Sequence, residues 1–167
     1  MERSAVEAEA SRVLDALGIQ VPPVNPTLIA EALGLEVRAA LFRDPEMHGR
    51  ISKMQDRTVI EVAALDAANR RRFTIAHEIG HALLHLKDVP HGAYTDMRRQ
   101  LFRLANVAPL SDPAETSANQ FAAALLMPEQ WVRAAYERTR NVAELAREFN
   151  VSVDAMTFRT KNLDLVG

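Results

Sequence analysis

Residues 77–85 read HEIGHALLH. Residues four apart on an α-helix lie on one face, one turn apart. His77 and His81 can therefore aim two imidazoles at one point, with Glu78 projecting to one side of the pair. Between Phe73 and Leu86 the other residues are mostly apolar or small: Phe73, Ile75, Ala76, Ile79, Gly80, Ala82, Leu83, Leu84, Leu86. A helix that is apolar on every side is a buried helix. Two histidines and a glutamate inside it carry a desolvation cost unless something compensates them. A bound metal ion compensates them; the competing reading is a polar interruption of a core helix. The arrangement is the H-E-x-x-H pattern of zinc hydrolases, in which the glutamate takes a proton from water at the metal. His85 repeats the spacing, but at about 100° per residue it has turned roughly 80° from His77. It is expected to support or pack against the site rather than to bind metal.

Zinc needs a third protein ligand and an open position. The longer motif with a third histidine fails, because Leu84 and Lys87 stand at its glycine and histidine positions. Downstream candidates are His91, Asp96, Asp112 and Glu115. Glu115 is favoured because positions 115, 118, 119, 122, 125 and 126 form one helical stripe, shared with Ala118, Ala122, Leu125 and Leu126. An inward carboxylate is costly without a cation, and a metal held by His77 and His81 supplies one. Asn119, one turn on, is placed to hydrogen-bond a ligating imidazole. The alternative for Glu115 is a carboxylate simply favoured in a first helical turn.

The rest of the chain bounds these readings. Its 167 residues suit one domain with at most a small appendage. A formal charge of −2 gives no reason to expect nucleic acid or an acidic membrane as a partner of the whole chain. There is no cysteine, so disulfides, thiolate ligands and a cysteine nucleophile are excluded and any metal must use His, Asp or Glu. MERSAVEAEASRVLDALG mixes charge throughout and lacks the core of a signal peptide. FAAALLM is too short to span a bilayer. The expectation is a cytoplasmic protein without a membrane partner.

Periodicity predicts an α+β fold, mainly helical. An amphipathic helix ends at Gly18, VPPVNP is a stiff connector, and a short helix ends at Gly34. Three strands, LEVRAALF, HGRISKM and TVIEVAA, predict a small antiparallel sheet over about residues 35–64. Asp66 is the expected cap of a long helix over about 67–87, with Arg70–Arg72 in its solvated first turns. The segment 88–112 is polar and punctuated and is expected to hold one helix around 94–105. Asp112 and Pro113 start the Glu115 helix, and Pro128 starts another through about 138. The tail, NVAELAREFNVSVDAMTFRTKNLDLV, reads as helix, turn at Asn150–Val151, then helix after Ser152. The division expected is residues 1–138 as the main domain and 139–167 as a helix-turn-helix-like pair packed on it. Contact with DNA would use Thr157, Arg159 and Lys161. Glu144, Glu148, Asp154 and Asp164 offset the tail's basic residues, so a strong phosphate footprint is not expected.

RRRFTIAHEIGHALLH followed by ETSANQFAAALLMP resembles the ImmA/IrrE family of zinc metallopeptidases, over roughly residues 45–163. The resemblance implies a zincin-like, gluzincin-type site with His77, His81 and Glu115 on Zn2+ and Glu78 as catalytic base. It also implies the typical substrate, a helix-turn-helix transcriptional repressor cut to switch on a silenced operon or mobile element. One departure is that VIEVAALD lacks the asparagine this family often carries before the metal helix. Tyr94 or His91 could donate to the oxyanion, and the strand around Gly49–Lys53 could pair with an extended peptide. The competing class is a non-catalytic metal-binding regulator that works through its tail on protein or DNA. Nitrogen and oxygen ligands also admit manganese or iron.

Overall fold

The structure, a computed structural model, describes residues 2–86 and 113–166. Helix α1 (Arg3–Ala16) buries Val6, Ala10, Val13 and Leu14, the i, i+4, i+7, i+8 stripe of an amphipathic helix. It stops before Gly18, whose φ of +66° suits a residue without a side chain. Helix α2 (Pro26–Ala32) starts at Asn25, whose side chain accepts from the amides of Thr27 and Leu28.

Strands β1 (Leu35–Ala40), β2 (Gly49–Lys53) and β3 (Thr58–Ala63) form a sheet in the order β1-β3-β2. It is mixed, which corrects the antiparallel sheet expected from sequence. β2 pairs antiparallel with β3, through a turn in which the Met54 amide donates to the Arg57 carbonyl at 2.8 Å. β1 instead lies parallel to β3, Leu35 opposite Thr58 and Ala40 opposite Ala63. The eight residues 41–48 carry the chain past the site that β3 then fills. β3 takes the centre because it is the most apolar strand, with Val59, Ile60 and Val62 all buried. Alternation along a strand specifies its faces but not its neighbours. Ile51, Ile60 and Val62 join the core on the inner face, while Arg50 and Glu61 form an ion pair on the outer one.

Helix α3 (Ala68–His85) packs across the inner face of the sheet and along helix α4 (Pro113–Leu126). Asp66 does not cap α3: the N-cap residue is Ala67, without a side-chain bond, and the Asp66 carboxylate accepts from His48 Nδ1 at 2.9 Å. The arginines that open α3 are not all solvated either. Arg72 donates to the Val24 carbonyl at 2.6 Å and the Asn150 carbonyl at 3.1 Å, and its partial burial lowers its pKa. That corrects the expectation for Arg70–Arg72: an arginine run reads as surface until distant carbonyls come within its reach.

Helix α5 (Glu129–Thr139) follows Pro128, and α6 (Val142–Phe149) is capped by Asn141. α6 ends at Asn150 in the left-handed region, φ 53°, and α7 (Val153–Asn162) starts at Ser152, whose hydroxyl accepts from the Ala155 amide. Leu145, Phe149 and Met156 of this pair enter the same core cluster as Val6, Ile60 and Phe121. Arg159 is 4% exposed, paired with both carboxylate oxygens of Glu7 and bonded to the Met127 carbonyl. Thr157 donates its hydroxyl to the Val153 carbonyl. Of the three residues proposed for DNA contact, only Lys161 is both exposed and without such an internal bond. The expected helix over 94–105 and the Asp112 cap lie outside the described residues. No helix among the described residues is long and apolar enough to cross a membrane.

Candidate metal centre

His77 and His81 sit one turn apart on α3, facing α4, with Glu115 opposite them in the first turn of α4. His77 Nε2 lies 3.0 Å from His81 Nε2 and 3.2 Å from Glu115 Oε2, and His81 Nε2 lies 3.1 Å from Glu115 Oε1. Ligand atoms at the corners of a tetrahedron around zinc stand ~3.3 Å apart, given Zn–N and Zn–O bonds of about 2.0–2.1 Å. The three residues thus already have nearly the spacing that a tetrahedral ion imposes. The His81 side chain is fully buried, that of His77 is 13% exposed and that of Glu115 29% exposed. The cluster therefore opens to solvent on one side, as a catalytic centre needs. Glu115 and Asn119 face α3 at the rim of the core rather than inside it; Asn119 is exposed.

The neighbours set the chemistry of these atoms. His77 Nδ1 lies 2.9 Å from Asn119 Oδ1. An amide oxygen only accepts, so Nδ1 carries the proton and Nε2 keeps a lone pair for the cluster. Electron-rich atoms then face one another, an arrangement that a bound metal ion or a shared proton would satisfy. Burial works to lower the pKa of His77, but the Glu115 hydrogen bond, the Glu78 and Glu115 charges and the Asn119 bond outweigh it and raise it. His85 does not join the cluster. Its Nε2 lies 2.9 Å from Ser117 Oγ, which has the Pro113 and Ala114 carbonyls within reach, and its ring stands 5.5 Å from that of His81. His85 therefore braces α4 against α3 beside the site.

Glu78 is 2% exposed on the neighbouring face of α3. Two glycines near the cluster were not singled out by sequence reasoning. A Cβ on Gly80 would stand 3.2 Å from Ala118 Cα and from Phe121 Cβ and Cδ1, so glycine there lets α3 and α4 approach closely enough for Glu115 to reach the histidines. A Cβ on Gly49 would meet Thr74 Cγ2 and Glu78 Oε1. The only sequence signal was a glycine inside a helix or at a strand start, which often marks a close approach of backbone. His91, Tyr94, Asp96 and Asp112 lie outside the described residues.

Among the described residues, His77, His81 and Glu115 are the one group of His, Asp or Glu side chains whose ligand atoms converge, all within 4.8 Å of one another. The sequence profile of the M78 peptidases, described as the IrrE N-terminal-like domain, matches residues 30–161 and so takes in the whole cluster. The chain belongs to the M78 peptidase family. This is the ImmA/IrrE family that the two motifs resemble. Among relatives of this M78 chain is the radiation response metalloprotease IrrE of Deinococcus radiodurans, 36% identical over 112 residues. That match covers 62% of this chain and 30% of that protein. A solved structure, a Mycobacterium tuberculosis transcriptional regulator, superposes with a TM-score of 0.61 at 22% identity, covering 93% of this chain and 46% of that one. The chain spans less than half the length of either, and the second likeness is one of fold. Membership of a metalloprotease family implies a metal ion, and the cluster of His77, His81 and Glu115 fits one.

Proposed function

We propose that this chain is a zinc-dependent endopeptidase of zincin-like, gluzincin type, with His77, His81 and Glu115 as metal ligands and Glu78 as catalytic base. We propose further that its substrate is a helix-turn-helix transcriptional repressor, cleaved in the cytoplasm to derepress an operon or mobile element. The observation that carries the reading is the triangle of His77 Nε2, His81 Nε2 and Glu115, with a buried glutamate directly after the first histidine. In this scheme residues 1–138 form the peptidase unit, with 139–167 packed on it.

A zinc ion at this centre would acidify water and polarise a peptide carbonyl. Glu78 takes the proton of the attacking water and returns it to the leaving amine. Asn119 would hold the His77 ring in the tautomer that keeps an Nε2 lone pair for a metal ion. β2 lies at the sheet edge among the described strands. The Ala63 amide donates to the His48 carbonyl at 2.9 Å, which makes Gly49 and Val62 a non-hydrogen-bonded pair. The N–H and C=O of Gly49 therefore face away from β3, where an extended peptide can pair with them. The repressor substrate rests on the family resemblance; the tail, packed into the common core through Leu145, Phe149 and Met156, carries too little basic charge to favour DNA as its partner.

The test replaces Glu78 by Gln in the full chain and follows zinc content, repressor integrity and operon expression. Zinc is expected to remain near one per chain while cleavage and derepression are both lost. Derepression that survives without cleavage would establish the alternative, a metal-binding regulator that acts by binding.

A further inference from the structure

We propose that Gly49 is a positioning residue for Glu78, whose absent side chain leaves the room in which the buried carboxylate is held beside the metal ligands. The inference rests on the proteolytic reading above and deepens it. Gly49 opens β2, and alternation turns positions 49, 51 and 53 toward α3. Ile51, the next residue on that face, is 1% exposed and stands opposite Ile60. The φ of Gly49 is not among the positive values, which belong to Gly18 and Gly34. Glycine is therefore required here for space and not for backbone freedom.

The space is occupied from α3. A Cβ on Gly49 would collide with Thr74 Cγ2 and stand 3.1 Å from Glu78 Oε1 and 3.5 Å from the Glu61 carbonyl. Thr74 and Glu78 are one turn apart on α3 and are 8% and 2% exposed. Both press on the same point of the strand. The strand is fixed there by the residue before it. The His48 ring bridges Asp66 Oδ2 at 2.9 Å and Arg70 at 3.3 Å, at the start of α3, and its carbonyl accepts from Ala63. The backbone at Gly49 is thus tied to the same helix that carries Glu78 and forms a wall against its carboxylate. With a methyl group added, the hard collision falls on Thr74 Cγ2, and the Glu78 carboxylate, at 3.1 Å and at the end of a flexible side chain, is pressed aside by a few tenths of an ångström. A general base must sit within about 2.6–3.2 Å of the proton it takes, and a misplacement of about 1 Å can cost on the order of 100-fold in rate.

The experiment compares the zinc-loaded full chain with Gly49→Ala and with Gly49→Ala/Thr74→Ser. The serine removes the methyl group that would collide and leaves the contact with Glu78, so the double variant keeps the fold while testing the carboxylate. Activity is read on a library of internally quenched peptides, beside zinc content, thermal midpoint and a crystal structure of the double variant. The expected result is native zinc content and midpoint, a kcat lowered about tenfold or more with KM within about twofold, and a displaced Glu78 carboxylate. Full recovery of kcat in the double variant, or an unmoved carboxylate, overturns the proposal and leaves Gly49 a packing residue for Thr74. If the native chain cleaves no peptide in the library, the proteolytic reading is what has failed. The crystallographic position of Glu78 then decides the positioning claim alone.

Discussion

His77 Nδ1 and Asn119 Oδ1 stand 2.9 Å apart across the seam between α3 and α4. This bond couples two helices that meet far apart in the chain, and it selects the ring nitrogen that faces Glu115. Partners of this kind typically contribute 10–100-fold to metal affinity. Asn119→Ala is expected to weaken zinc binding by about that factor while the far-ultraviolet circular dichroism stays native. Titration against a chelating indicator measures it, and an unchanged affinity would deny Asn119 the role.

Gly80 sets how closely those helices meet. In a helix interior Gly→Ala usually gains up to about 1 kcal/mol. Here the new Cβ would stand 3.2 Å from both Ala118 and Phe121, and overpacking of that kind costs about 1–3 kcal/mol. The packing cost wins, so Gly80→Ala is expected to lower the urea midpoint and to loosen zinc binding. A variant more stable than the native chain would show that α3 and α4 can part at no cost.

Metal binding and stability are linked. An ion that binds only the folded chain adds about 4.1 kcal/mol at a thousand times its dissociation constant. Thermal unfolding with and without zinc is expected to show a rise of the midpoint in the native chain. Neither His77→Ala nor Glu115→Ala is expected to show it. Equal rises in all three would place the ion elsewhere.

Far from the candidate metal ligands in sequence, Arg159 joins α7, α1 and the end of α4 through Glu7 and the Met127 carbonyl. Removing one partner of a buried ion pair costs about 3–5 kcal/mol, because the other charge is left behind. Glu7 is 22% exposed on its side chain, so Glu7→Gln is expected at the lower end, about 3 kcal/mol. Replacing both residues, Glu7→Leu with Arg159→Met, is expected to recover most of the loss in chemical denaturation. A double variant as unstable as the single one would mean that the clasp acts through the carbonyl alone.

The helices were legible because each carries its own instructions. The stripe of Val6, Val13 and Leu14, the stop at Gly18, the Ser152 start and the Asn150 turn all act within a few residues, and the fold keeps each of them, whereas Leu17, read as part of the same stripe, caps the helix and is left exposed. The phase of Glu115 and Asn119 relative to Ala118 and Ala122 was also local, which is why the convergence of Glu115 with His77 and His81 could be read before any contact was known. Asp66 and Arg72 were misread because their partners, His48, Val24 and Asn150, are distant in sequence or sit across a loop.

By itself the sequence determined which residues share a helix face, and so which imidazoles and which carboxylate can meet at one point. Helical periodicity is a property of neighbouring residues and survives in any packing. Only the tertiary structure decided that β3 separates β1 from β2, that Gly80 brings α4 against α3, and that Gly49 walls in Glu78. Those arrangements depend on which apolar faces find each other across the chain and how closely they pack, and burial rewards the area covered without naming the partner that covers it.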